Sequence, residues 1–222
     1  VPSNLVTSSV AASSITLTWG ANGNSAGTVY EITNVNTSAT TTNTNYTFSS
    51  LDPDTQYDFK VRAQNSAGKY TDYTNTTTEY TYANVPNAPT VNNPSTTTLD
   101  ITINENGNPS QTTYAIFNET DGNYLASDGG DNGGSSVYQT TSTWSTKTAK
   151  NLSANTQYEF TTKAQNQDGA ITATSSKSSA IYTFAAIPVN LATTTITTSS
   201  VSLSWGANGN PGGTKYRVEN IT

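Results

Sequence analysis

The hexapeptide WGANGN occupies Trp19–Asn24 and returns unchanged at Trp205–Asn210, 186 positions later. It is either a duplicated binding motif or a turn that a repeated domain needs in every copy, and the flanking residues decide. ITLTWGANGN from Ile15, LDITINENGN from Leu99 and VSLSWGANGN from Val201 align without a gap. A tyrosine stands eleven residues beyond the Trp position in each: Tyr30 after Trp19, Tyr114 after Ile103, Tyr216 after Trp205. The residues before the motif alternate apolar and polar, which places Ile15, Leu17 and Trp19 on one face of a strand. The chain must reverse between the Trp strand and the Tyr strand, and Asn and Gly tolerate the positive φ of a tight turn. The stretch reads as turn punctuation, with a binding role for its asparagines as the lesser alternative.

A second match fixes the repeat. LDPDTQYDFKVRAQNSAG from Leu51 parallels LSANTQYEFTTKAQNQDG from Leu152, and TYANVPNAP parallels TFAAIPVNL. The copies run over residues 1–84, 85–186 and 187–222, the last holding only the first three strands. In YDFKVRA, Tyr57, Phe59, Val61 and Ala63 point inward while Asp58, Lys60 and Arg62 point outward. The second copy keeps Tyr158, Phe160 and Ala164 and replaces the valine with Thr162. No useful helical periodicity occurs, and short strands punctuated by Gly, Asn and Pro predict an all-β antiparallel sandwich. The second copy departs in two ways. Ile103 replaces the tryptophan, a gap that Trp144 could fill, and an insertion at about residues 121–137 lengthens the path from the third strand to Tyr158.

These residues resemble tandem fibronectin type III domains. The resemblance rests on Trp19 and Trp205 in the second strand, on Tyr30, Tyr114 and Tyr216 in the third, and on LDPDTQY and LSANTQY before the sixth. It implies immunoglobulin-like sandwiches, two complete and one partial, with Tyr57 and Tyr158 hydrogen-bonding back to nearby backbone in a tyrosine corner. Arg-Gly-Asp, an integrin tripeptide of some relatives, is missing from the hairpin NSAGKYTD.

Composition bounds the chemistry. Of 222 residues, 11% are charged and 32% hydrophobic, and threonine alone supplies 44. Thr suits a pleated surface because its branched side chain is stiff at χ1. There is no Cys and no His, which excludes disulfides, thiolate nucleophiles and Ser-His-Asp catalysis. A net charge of −6 with nine Lys plus Arg gives no basic footprint for nucleic acid. No apolar run reaches the roughly 18 residues of a membrane helix, so no membrane insertion is expected in this segment.

Four features could carry chemistry. Asp121, Asp128, Asp131 and Asn132 of the insertion offer oxygen ligands for calcium, but lack the spacing of an EF-hand loop; a Gly-rich flexible hairpin is the simpler reading. Among the carboxylates, Asp52 and Asp54 lie in the corner turn and Glu31, Asp58 and Glu159 point outward on strands, so none is expected to be buried as an acid–base pair requires. Tyr70, Tyr73, Tyr80 and Tyr82 could form a sugar platform, against the simpler reading that alternate tyrosines of a last strand divide between core and surface. Asn36, Asn45, Asn75, Asn118, Asn151 and Asn220 open N-x-[ST] sequons, which so Asn- and Thr-rich a chain forms by chance.

No catalytic, cofactor or metal residue is assigned. The expected function is a non-catalytic extracellular structural or spacer array in a larger cell-surface assembly: a surface layer, sheath or filament. Its partners would be neighbouring copies of itself, other surface proteins and glycans. The alternative is an adhesion or carbohydrate-binding module, or the spacer of a secreted polysaccharide-degrading enzyme. The partial third copy is expected to reflect an excerpt of a longer array rather than completion by strands of another subunit. Short proline-containing linkers at Pro86 and Pro188 predict a semi-rigid succession of domains.

Overall fold

The computed structural model describes residues 1–34 and 37–221; the sequon at Asn36 lies outside them. Two compact units divide the chain. The first holds Val1–Val85, Glu105–Thr113 and Lys163–Ala173; the second holds Pro86–Asn104, Tyr114–Thr162 and Thr174–Thr222.

In the first unit, β1 (Ser3–Val10), β2 (Ser14–Gly20), β3 (Val29–Thr33), β4 (Ser38–Thr41), β5 (Asn45–Ser49), β6 (Gln56–Gln64) and β7 (Thr77–Tyr80) form two antiparallel sheets, ordered β1-β2-β5 and β4-β3-β6-β7. Period-two alternation sets the inner faces. Ile15, Leu17 and Trp19 of β2 are buried against Tyr57, Phe59, Val61 and Ala63 of β6, with Tyr30 and Ile32 of β3 completing the layer. Trp19 meets Tyr30 edge to face, centroids 5.7 Å apart, the geometry an aromatic quadrupole favours. The corner is present: the Asp52 N–H donates to the Tyr57 hydroxyl at 3.0 Å.

Residues 87–182 repeat the plan. β8 (Asn87–Asn92), β9 (Leu99–Asn104), β10 (Thr113–Asn118), β11 (Asn123–Tyr124), β12 (Gln139–Thr140), α1 (Thr141–Trp144), β13 (Lys147–Ala149), β14 (Gln157–Tyr158), β15 (Phe160–Gln165) and β16 (Ile181–Tyr182) follow in order. One sheet runs β13-β9-β8, and in the other β10 pairs with β11, β12 and β15. The Ser153 N–H donates to the Tyr158 hydroxyl at 2.8 Å. β17 (Val189–Ile196) and β18 (Val201–Gly206) form a two-stranded sheet on which Trp205 is 37% exposed, against 5% for Trp19.

Strand register repeats at three places. Ser3 pairs with Gly20, Asn87 with Asn104 and Val189 with Gly206, and Val6–Thr18, Thr90–Thr102 and Ala192–Ser204 follow after the same bulge. Trp19, Ile103 and Trp205 therefore hold one structural position.

The last-strand expectation needs correction. The segment following β6 does not alternate. Thr71 and Thr74 donate their N–H groups to Ala63 and Val61 carbonyls, and Thr172, Ser175 and Ser178 do so to Ala164, Thr162 and Phe160. Each step of two residues on the central strand is met by three on its edge. The same residues' hydroxyls accept the returning N–H groups of Ala63, Val61, Ala164, Thr162 and Phe160, so the Ser and Thr side chains complete a ladder that backbone alone would leave half made.

Candidate functional site

The turn that opens the repeat is built on positive φ as its composition requires: Asn22, Asn106 and Asn208 lie at 51°, 53° and 53°, each followed by a glycine at 74–80°. Their side chains do more than turn the chain. Asn22 donates through Nδ2 to the Val1 carbonyl, Asn106 to that of Val85 and Asn208 to that of Ile187, at 2.8, 2.9 and 2.9 Å. Each thereby ties the turn to the residue before the proline that opens its copy.

The second asparagine of the motif faces the preceding residue. In the first unit, Asn108 accepts the Asn84 N–H at 2.6 Å and donates to the Asn84 carbonyl at 2.9 Å. In the second, Asn210 treats Ala186 the same way, at 2.7 and 2.8 Å. A carboxamide reading both polar groups of one peptide residue satisfies donor and acceptor together.

Asp54 completes the first of these junctions. It is fully buried, which corrects the expectation that no carboxylate is. Its Oδ2 accepts from the Thr112 hydroxyl at 2.6 Å and its Oδ1 from the Gln167 N–H at 2.8 Å. Alongside, Asn166 donates to the Thr81 carbonyl at 3.0 Å. In the second unit Asn155, at the position of Asp54, donates to the Thr214 hydroxyl at 2.9 Å. The burial cost of the polar groups is offset by complete pairing. Each of these bonds joins one protein group to another.

The other candidates resolve individually. The insertion forms a hairpin: beside the Leu125–Asp131 bridge the Asn132 N–H donates to the Tyr124 carbonyl and the Tyr124 N–H to that of Gly133, Leu125 is buried, and the Lys150 N–H donates to the Gly129 carbonyl at 2.9 Å. Its acidic side chains are engaged separately. Asp121 accepts from Asn118 Nδ2 at 2.9 Å, and Asp128 and Asp131 accept the N–H groups of Gly130 and Gly133. Partial burial raises the Asp121 carboxyl above its usual range, helped by the nearby charge of Asp131, while the Gly130 N–H and Lys150 lower that of Asp128. Among the described residues no three acidic groups gather as a metal site would need.

Tyr70 and Tyr73 do share a face, because three-residue spacing brings them together. The Arg62 guanidinium lies 4.0 Å from one ring centroid and 4.5 Å from the other, and it is paired with Glu31. Those rings thus hold a cation within the chain. Trp144 is 1% exposed. It fills the core beside Ile103, the gap expected for it, its indole N–H donating to the Tyr114 carbonyl at 2.6 Å. The sequon residue Asn118 is buried as well.

Two sheets ordered as above, a corner tyrosine bonded to backbone and a Trp–Tyr pair across the sandwich coincide with a family model, the fibronectin type III domain, which matches residues 1–80. The first copy is a fibronectin type III domain. The fold is similar to that of a two-fibronectin-type-III-domain segment from chicken tenascin, which superposes with a TM-score of 0.50, covering 82% of this chain and 99% of that one at 13% identity. Two relatives are similar in sequence. Chitinase A1 of Niallia circulans is 32% identical over 187 residues, 79% of this chain, and Exoglucanase B of Cellulomonas fimi is 29% identical over 228 residues, 96% of this chain. The chain spans only 24% and 20% of their lengths.

The junction asparagines and Asp54 escaped assignment from sequence. The signal was the unvarying second asparagine, Asn24, Asn108 and Asn210, which a turn alone does not require.

Proposed function

We propose that this chain is a non-catalytic spacer array of fibronectin type III repeats in a secreted polysaccharide-degrading protein. The observation that carries the proposal is the pair of relatives: both bear names of polysaccharide-degrading enzymes, and both match most of this chain across a minor part of their own length. The geometry agrees with a spacer. Polar groups that could have been chemical are spent on joining copies, and the Tyr70–Tyr73 pair is occupied by Arg62. An extracellular location belongs to the same proposal, as does the division into copies at about residues 84 and 186. The relatives favour this role over a surface layer, sheath or filament.

The test is functional. The chain alone is expected neither to hydrolyse chitin or cellulose nor to co-sediment with them. Inserted between a catalytic module and a polysaccharide-binding module, it should raise turnover on insoluble substrate and leave turnover on soluble oligosaccharide unchanged. Co-sedimentation of the isolated chain with either polymer would replace the spacer with a carbohydrate-binding module, and ordered self-assembly in the absence of polymer would restore the surface array.

A further inference from the structure

The junction chemistry recurs at a third place, where none of the described residues fills it. Asn24 is the positional equivalent of Asn108 and Asn210, Thr28 of Thr112 and Thr214, Asn65 of Asn166, and Ser66 of Gln167. In the first unit these four residues line one open cleft of about 700 Å³. Their local bonds repeat those of the occupied junctions. Asn24 donates to the Ala21 carbonyl as Asn108 does to Glu105 and Asn210 to Ala207. Thr28 donates to the Ser25 carbonyl as Thr214 does to Pro211, leaving its oxygen free to accept as Thr214 accepts from Asn155. Asn65 Oδ1 accepts backbone N–H groups of its own hairpin, as Asn166 Oδ1 does. What remains over is the set of groups used for docking elsewhere. Among the described residues, Asn24 Oδ1, Asn65 Nδ2 and the Ser66 N–H have no partner.

We infer that this cleft is a socket for the corner turn and exit segment of a further fibronectin type III sandwich, peptide-linked ahead of Val1. The occupant's chemistry follows from the two filled sockets. It brings Asp or Asn at the corner, positioned as Asp54 and Asn155 are, to meet Thr28 and the Ser66 N–H. It also brings one exit residue whose N–H and carbonyl are both read by Asn24, as Asn84 is read by Asn108 and Ala186 by Asn210. Those exit residues stand immediately before Val85 and Ile187, the counterparts of Val1, which fixes the direction of entry. The inference deepens the spacer reading and rests on its repeat geometry, not on what enzyme the array carries.

The experiment lengthens the full chain at Val1 with a duplicate of residues 1–84, so that Asn84 of the duplicate precedes Val1, and follows amide hydrogen exchange. The Ser66 N–H is expected to exchange at least about tenfold more slowly than in the 222-residue chain, approaching the protection of Gln167. Asp54→Ala confined to the duplicate should return Ser66 to its original rate while the duplicate's Asp52 N–H, held by the corner tyrosine, stays protected and shows the copy folded. Ser66 exchanging as before, with Gln167 still protected, overturns the socket and leaves the spacer reading standing. Free exchange at Gln167 as well overturns the socket together with the Asp54 junction it was read from.

Discussion

Thr162 occupies the position that Val61 holds in the first copy, and it is 1% exposed. Its backbone N–H donates to the Ser175 hydroxyl, but its own hydroxyl has no partner among the described residues. A desolvated, unbonded hydroxyl costs on the order of 1–3 kcal/mol relative to an apolar group of the same shape. Thr162→Val keeps the branched shape and removes only that cost. The variant is expected to gain about 1 kcal/mol, read as a higher urea midpoint with an unchanged m-value; a lower midpoint would mean that the hydroxyl is satisfied after all. The asparagines of the opening turn show the opposite economy. At Asn22, Asn106 and Asn208 a left-handed backbone that glycine would adopt more easily is retained by a residue whose amide reaches a specific carbonyl. Turn and bond come from one side chain.

Among the elements, α1 and the inserted hairpin are what set the second copy apart. Trp144 ends a helix of four residues whose N-cap, Thr140, accepts from the Thr143 N–H, and it is the largest fully buried side chain. It bonds to Tyr114, the counterpart of the tyrosine that Trp19 meets in the first copy. Trp144→Ala should therefore cost about 3–5 kcal/mol by calorimetry or denaturant titration, far more than an exposed aromatic would. The hairpin depends on Gly129: at φ +91° a Cβ there would lie 1.9 Å from the Thr148 carbonyl oxygen. Gly129→Ala is expected to lose about 3 kcal/mol through strain and clash together, and to speed exchange of the Lys150 N–H that the Gly129 carbonyl holds. These elements mark the limit of what was legible. Strands β2 and β6, the corner and the opening turn were readable because period two and αL residues are local properties. The edge after β6 was not, since its three-residue step arises only against a neighbour with a two-residue step. A four-residue helix is too short to show periodicity, so Trp144 could be suspected from the missing Trp at Ile103 but not placed.

For the molecule as a whole, the groups that join one copy to the next are the least visible in sequence, because Asp54 reaches partners 58 and 113 residues away. In a repeat protein, stability is the sum of what each copy holds and what each junction adds, and Asp54 is the junction group whose contribution can be isolated. Asp54→Ala removes the acceptor of the Thr112 hydroxyl and of the Gln167 N–H, leaving two donors without partners. Bonds to a carboxylate contribute about 1.5–3 kcal/mol each, and an orphaned donor adds its desolvation cost. A loss of about 3 kcal/mol is expected after partial relaxation toward water. Asp54→Asn tests the chemistry rather than the space. Its Oδ1 can still accept from Gln167, and its Nδ2 can donate to the Thr112 oxygen, since a hydroxyl serves as donor or acceptor. Asn155 and Thr214 already bond in that sense at 2.9 Å. The Asn variant should therefore lose no more than about 1 kcal/mol and keep the Gln167 N–H protected from exchange, whereas the Ala variant exposes it. Equal losses for both variants would show that burial of the corner, not its hydrogen bonds, holds the junction.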